Sequence, residues 1–318
     1  MLLLAFALAA ASPSYTETIK RDVPAAAATV SSSWVKDVLQ KAADLPARAP
    51  RVVWRDKERK LVLSDVDAQK LDAKERARFT REELDDEVYY AKYSTPLAYA
   101  RALDVAASFG LDGVKGKSLV DFGYGDIGQL QMLARAGASA VGIDVNALLP
   151  ALYADPSDTG AVGDGRVSIV DGRWPATEEV RKRVGGPFDV FLSKNTLKRG
   201  YVHPLEKADP KMLIDLGVGD DAFLGAVNDV VKPGGLVLIY NLCPGPAKKG
   251  QPFVPWSDGH SPFTKEQWQK HGFDVLAFDV DDTGPARKLA HALKWDTGAD
   301  KMDIDGDLFA WMTVVRRK

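Results

Sequence analysis

The chain has 318 residues, a formal charge of −2 at pH 7, 46% hydrophobic and 27% charged residues, and a single cysteine. This length can bury a sizeable core, and the balance of apolar and charged residues is that of a globular chain. The near-neutral charge argues against a sequence-independent nucleic-acid binder, which carries a basic excess, and Cys243 alone excludes an intrachain disulfide and a cysteine-built zinc site.

In chain order, Leu2–Ala11 is an uninterrupted apolar run followed by Ser12-Pro13. It is too short to cross a bilayer as a helix, so no stable membrane span is expected. Ala9-Ala10-Ala11 fits a small-residue cleavage site, so residues 1–11 read as a signal-peptide core, although no Lys or Arg precedes them. Export to a periplasm or out of the cell is the resulting expectation, with a cytoplasmic location the alternative if the run is not a working signal. Residues 12–33, rich in Ala, Ser and Thr, read as a linker. Residues 34–110 read as a mainly helical N-terminal extension. Within it, Trp34–Ala43 is a short amphipathic helix stopped by Pro46 and Pro50. Arg51–Trp54 and Lys60–Leu63 pair as a hairpin. Asp67 to Glu87 reads as a charged, solvated helical face. Thr95-Pro96 then starts a helix, with proline in its first turn, in a region crowded by Tyr89, Tyr90, Tyr93 and Tyr99.

Residues 111–318 read as one α/β domain organised around Ser118 to Asp144. Ser118–Phe122 is a buried parallel strand. Gly123, Gly125 and Gly128 form a G-x-G-x-x-G turn, and a helix follows from Gln129 to Ala136. Ala140–Ile143 is the second strand, with Asp144 at its tip. Glycines let a ligand approach the backbone, and a carboxylate on the next strand can accept hydrogen bonds from a ribose diol. Strand, loop, helix and acid in that order make a nucleoside-binding βαβ unit. Further strands are expected at Val167–Val170, Phe188–Leu192, Leu236–Tyr240, Asp274–Phe278 and Leu308–Val315. Helices at Thr177–Val184, Asp220–Val231, Thr264–His271 and Thr283–Leu293 alternate with them. Asp303 to Asp307 resembles a calcium loop in composition but fails its register, so it reads as a turn and no metal is expected.

Dinucleotide enzymes and S-adenosylmethionine (SAM) enzymes share this geometry. Asp121-Phe122-Gly123-Tyr124-Gly125 resembles the first motif of class I SAM-dependent methyltransferases. Val141-Gly142-Ile143-Asp144 resembles the second, and Val167 to Gly172, Phe188 to Ser193 and Val231 to Gly235 resemble later strands and turns in the right order. The departure is Ile127, with Gly128 one place later than the family often has it. The resemblance implies a Rossmann-like doubly wound sheet, mostly parallel with an antiparallel C-terminal strand, and SAM as cofactor. It implies Asp144 on the ribose, Asp171 on the adenine amino group, and Asp121 near the methionine amino group. Gly123, Tyr124, Gly125, Gly128, Val145, Gly172, Ser193, Asn195 and Tyr93 complete the expected cofactor surface.

The loops Ser193–Pro210 and Cys243–Pro262 follow carboxyl ends of strands, where ligands bind in open α/β sheets. Lys194, Asn195, Tyr201 and His203 are the polar groups offered by the first loop. His203, His260 and Tyr201 are the candidate catalytic bases. The expected reaction is in-line transfer of a methyl group to an acceptor of unidentified structure. A small molecule suits the charge better than a nucleic acid. An NAD-dependent oxidoreductase and a non-catalytic protein on the same fold remain the competing readings.

Overall fold

A computed structural model describes residues 14–58, 60–247, 252–298 and 301–318. The signal-peptide reading of residues 1–11 lies outside the described residues. Two sheets are built from the strands β1 (Arg51–Asp56), β2 (Val62–Ser64), β3 (Phe79–Leu84), β4 (Ser118–Phe122), β5 (Ser139–Asp144), β6 (Gly160–Val162), β7 (Gly165–Asp171), β8 (Phe188–Lys194), β9 (Val231–Cys243), β10 (Phe273–Asp281) and β11 (Phe309–Arg317). The larger has the order β10-β11-β9-β8-β4-β5-β7-β6. Its centre, from β9 through β8, β4 and β5 to β7, is parallel. β11 runs antiparallel between β9 and β10, and β6 is antiparallel at the far edge. The fold is therefore a doubly wound α/β sheet with an antiparallel closing strand, as the motif order implies.

Continuous apolar strands are buried on both faces of such a sheet, and successive side chains divide accordingly. Leu119, Val190, Leu192, Leu236, Leu238 and Tyr240 face one layer. Val120, Phe191, Val237 and Ile239 face the other. Helices Glu178–Val184, Asp220–Val230 and Lys265–Lys270 cover this second face through Val180, Phe223, Leu224 and Trp268. The first face is covered by helices Ala100–Ser108, Gly128–Arg135 and Thr283–Ala292, and also by the N-terminal segment.

That N-terminal segment departs from the linker reading of residues 12–33. Tyr15–Ala27 is a helix whose Ile19, Val23, Ala26 and Ala27 enter the core, alongside Val35, Val38 and Leu39 of the next helix, Ser33–Ala42. The spacing of those buried positions is that of one helical face, and core packing overrides the alanine-rich composition and the internal Pro24. Ser31 and Ser32 donate backbone N–H bonds to Asp104 Oδ1, at 3.0 and 2.8 Å. Arg101 holds Asp104 and grips Asp282 through two nitrogens, at 2.7 and 2.8 Å, and the Tyr240 hydroxyl also donates to Asp282. This network ties the N-terminal segment to β9 and to the start of the helix Thr283–Ala292.

The extension carries a small sheet beside its helices. The expected hairpin forms, with Trp54 opposite Leu63, but β3 adds a third strand where a solvated helical face was expected. Phe79–Leu84 is charged on both sides of an edge strand, so it lacks the apolar alternation that marks a half-buried strand. Among the described residues, no helix is long and apolar enough to cross a membrane.

Candidate functional site

The glycine loop leaves the carboxyl end of β4, at the point where the order reverses between β4-β5 on one side and β4-β8 on the other. Crevices at such switch points are where open α/β sheets hold ligands. Gly123 and Gly125 have φ of +78° and +62°, which side chains with a Cβ rarely adopt. A Cβ at Gly123 would stand 2.0 Å from Thr196 Oγ1. Gly128 serves packing instead: a Cβ there would lie 3.0 Å from the Tyr90 carbonyl oxygen and 3.3 Å from Pro96. Ile127, the departure from the family pattern, is fully buried, and its N–H donates to the Tyr153 hydroxyl at 3.2 Å.

Two cavities meet at this loop and share Gly123, Asp144 and Thr196. One, of about 210 Å³, is an apolar slot between Ile143, Val145, Gly172, Trp174 and Leu216, rimmed by the Arg173–Asp215 ion pair. The other, of about 460 Å³, is lined by Tyr93, Tyr99, Asp126, Lys194, Asn195 and Tyr201 among others. Asp144 stands between them. Its Oδ1 accepts the N–H groups of Val145 and Asn146, at 2.8 and 2.9 Å, and its Oδ2 that of Gly125, at 3.1 Å. Burial raises its carboxyl above the usual range while these N–H groups pull it back.

The second cavity carries unusual electrostatics. Asp121 is buried beneath it, and its Oδ2 accepts the Tyr99 hydroxyl at 2.7 Å and Gln129 Nε2 at 3.2 Å. Asp126 Oδ2 accepts the N–H groups of Tyr93 and Ser94, at 3.0 and 3.1 Å. Asp121 Oδ1, Asp126 Oδ1 and Gln129 Oε1 are buried without a donor. Burial lifts Asp121 to about 6 and Asp126 to about 7, against the lowering effect of those hydrogen bonds. Lys194 lies at the same depth, its Nζ 5.2 Å from the Tyr99 ring centroid, and burial lowers it to about 8. Lys198 is lowered to about 8 by the same cause, but its Nζ donates to the carbonyls of Leu242 and Trp256 at 2.6 and 3.3 Å.

The other expected residues are placed as follows. Tyr124, Tyr93, Asn195 and Tyr201 line the second cavity, and Val145 and Gly172 the first. The Asp171 side chain lines neither, and its carbonyl accepts Arg183 Nη1 at 3.1 Å. Ser193 is fully buried, and its Oγ accepts the Leu197 N–H at 3.2 Å. His203 bonds Asp220 at 2.9 Å, away from both cavities. His260 faces a separate cavity of about 550 Å³, where Nδ1 pairs with Asp258 at 2.8 Å and the ring lies 4.1 Å from Trp311. The geometry thus brings Tyr201 to the glycine loop and leaves both histidines elsewhere. Asp126, Tyr99, Gln129 and Thr196 are members of the site that sequence reasoning missed. Among the described residues, no cluster of metal-ligating side chains occurs.

The strand order, with β11 antiparallel between β9 and β10, the loop after β4 and the acid at the tip of β5 settle the architecture. The fold is that of class I SAM-dependent methyltransferases. No protein-family model matches the chain, and no curated protein matches it. Solved structures of similar fold include the 4+2 cyclase SpnF, 15% identical, covering 96% of this chain and 97% of that one with a TM-score of 0.43. A SAM-dependent methyltransferase from Mesorhizobium loti is 16% identical, covering 69% and 98%, with a TM-score of 0.39. Phosphoethanolamine N-methyltransferase 2 from Haemonchus contortus, in complex with SAM, is 13% identical, covering 85% and 68%, with a TM-score of 0.41. The strand order, and not these overlaps, identifies the fold.

Proposed function

We propose that the chain is an enzyme that binds SAM across the glycine loop and transfers its methyl group to a small-molecule acceptor. The observation that carries this reading is the hydrogen-bond state of the loop. The N–H groups of Gly123 and Tyr124 donate to the Ile143 carbonyl, Gly125 to Asp144, Asp126 to the Tyr124 carbonyl and Ile127 to Tyr153. A dinucleotide places its diphosphate on free loop N–H groups, and residues 123–127 have none to offer. Three carboxylates, Asp121, Asp126 and Asp144, further disfavour a diphosphate there. Buried acceptors without donors suit a cationic ligand instead, and the methionine end of SAM carries an ammonium and a sulfonium.

The residues present fit such a ligand. The slot between Val145 and Trp174 suits adenine, Asp144 suits the ribose diol, and the buried, unpaired oxygens of Asp126 in the cavity wall and of Asp121 beneath it suit the ammonium. When bound, SAM supplies an already activated methyl group on a sulfonium leaving group. The chain's own residues then orient and exclude water. Tyr93, whose ring packs on Gly125 and whose hydroxyl accepts Asn146 Nδ2 at 2.6 Å, lines the loop cavity beside the glycines.

Calorimetric titration of the full chain with SAM and, separately, with NADH tests the reading. Saturable SAM binding with no response to NADH is expected. Binding of NADH, or silence with SAM, refutes it.

A further inference from the structure

A larger cavity, of about 730 Å³, adjoins the loop cavity and shares Tyr93, Lys194, Asn195, Leu242 and Trp256 with it. It does not touch Gly123, Gly125 or Asp144, and its far wall includes Tyr15, Trp295 and Leu308. Lys194, the last residue of β8, lies where the two cavities meet. Asn195 next to it takes φ +66°, and its side-chain oxygen accepts the Leu242 N–H at 2.7 Å. The chain end that carries Lys194 is thereby pinned to β9. The lysine side chain is buried, and among the described residues its Nζ has the Tyr99 ring as its neighbour and no ion-pair partner. The groups facing it are Asp121, Asp126, Tyr99 and Lys198.

We propose that Lys194 accepts the proton of an aromatic hydroxyl bound in this outer cavity, which makes a phenolic compound the methyl acceptor; this rests on the SAM reading of the adjoining site. The cavity has the size of a small-molecule site. Tyr93, Trp256 and Trp295 give it flat aromatic walls, with Leu242 and Pro244 beside them. A carboxylic acid is ionised already and needs no base, whereas an aliphatic alcohol is too weak an acid for a lysine to deprotonate. A phenol, with a pKa of about 10, matches a buried lysine closely enough for proton transfer during bond formation. A sulfonium beside Lys194 adds like-charge repulsion and favours its neutral form further. In the step, the hydroxyl proton passes to Nζ as the oxygen–methyl bond forms. The carbon–sulfur bond breaks with its electron pair left on sulfur, giving the methyl ether, S-adenosylhomocysteine and a protonated lysine.

The test compares the full chain with Lys194→Met and Lys194→Arg, each checked for folding by circular dichroism. SAM affinity is read by calorimetry. Transfer is read by mass spectrometry of methyl ethers formed from phenol, catechol and 2-naphthol. Competitive acetylation across pH reads the amine itself, independently of turnover. The expected result is SAM affinity within about threefold in both variants and at least about 100-fold slower ether formation in both, since arginine keeps the charge but cannot take a proton. Acetylation of Lys194 is expected with a midpoint near pH 8, well below that of an ordinary lysine. Tenfold weaker SAM binding in Lys194→Met that Lys194→Arg restores would overturn the proposal and make the lysine a clamp for the methionine carboxylate. Ether formation unchanged in Lys194→Met, or a wild type that binds SAM and methylates none of the phenols, overturns it as well. A wild type that does not bind SAM refutes the site reading itself, and the proposal with it.

Discussion

Asp126→Asn should make the protein more stable at neutral and alkaline pH and leave it nearly unchanged below about pH 4. Burial holds the Asp126 carboxyl at about 7 in the folded chain, against about 3.9 when unfolded. The folded state therefore binds the extra proton, and the stability this supplies is complete below about pH 4. It is lost progressively as the pH rises to 7. Three units at about 1.4 kcal/mol each give an upper bound of about 4 kcal/mol. Relaxation around a carboxyl that lies near Lys194 and lines a cavity brings a realistic value to about 2 kcal/mol. Asparagine is neutral at every pH, and its amide oxygen can still accept the N–H groups of Tyr93 and Ser94. Urea unfolding of wild type and variant at pH 5, 6, 7 and 8 measures the difference. The gap should already be about 1 kcal/mol at pH 5 and reach about 2 kcal/mol at pH 8 in favour of the variant. Parallel curves would refute the reasoning, because they would mean that Asp126 ionises in the folded protein at no cost.

Asp144→Ala should reduce SAM affinity by more than about 100-fold in calorimetry while costing about 1–3 kcal/mol in urea unfolding, since three backbone N–H groups lose their acceptor; tight binding by this variant would end the ribose assignment. Gly123→Ala should destabilise by at least about 2 kcal/mol, because the new methyl combines a positive φ with a clash against Thr196; a melting temperature equal to wild type would contradict this. Arg101→Met leaves Asp104 and Asp282 as buried acids without their cation, and about 3–5 kcal/mol of stability should go with it; chemical denaturation reads the loss.

The central sheet is legible in the sequence because each strand there is an apolar run, and because a glycine turn and a helix follow at fixed spacing. Asp144 at the junction of two cavities was legible for the same reason. The helix Tyr15–Ala27 was masked by composition, although Ile19, Val23 and Ala26 carry the helical period. β3 was hidden because periodicity reports burial, and this strand buries little. In the polar cluster under the loop, Asp121 was marked by the glycine motif and Lys194 by its strand end, but Tyr99 and Gln129 had no local signal. Tyr99, Asp121, Gln129 and Lys194 come from four different elements, and a sequence pattern specifies which face a residue takes but not which polar groups will meet there. The histidines misled for a related reason. His260 follows the correct edge of the sheet, but Arg199 binds Asp258 at 2.7 Å, and Asp258 draws the imidazole toward Trp311.

The outer cavity has walls supplied by Tyr15 on one side and by Trp295, Met302 and Leu308 on the other. During synthesis the glycine loop and its flanking strands are complete long before this last segment emerges. The donor half of the site can thus assemble on a partial chain, whereas the acceptor half exists only once distant segments have closed on each other. Such late, long-range closure makes the acceptor half the first part to open under stress. Loss of transfer under mild denaturant should consequently precede loss of donor binding.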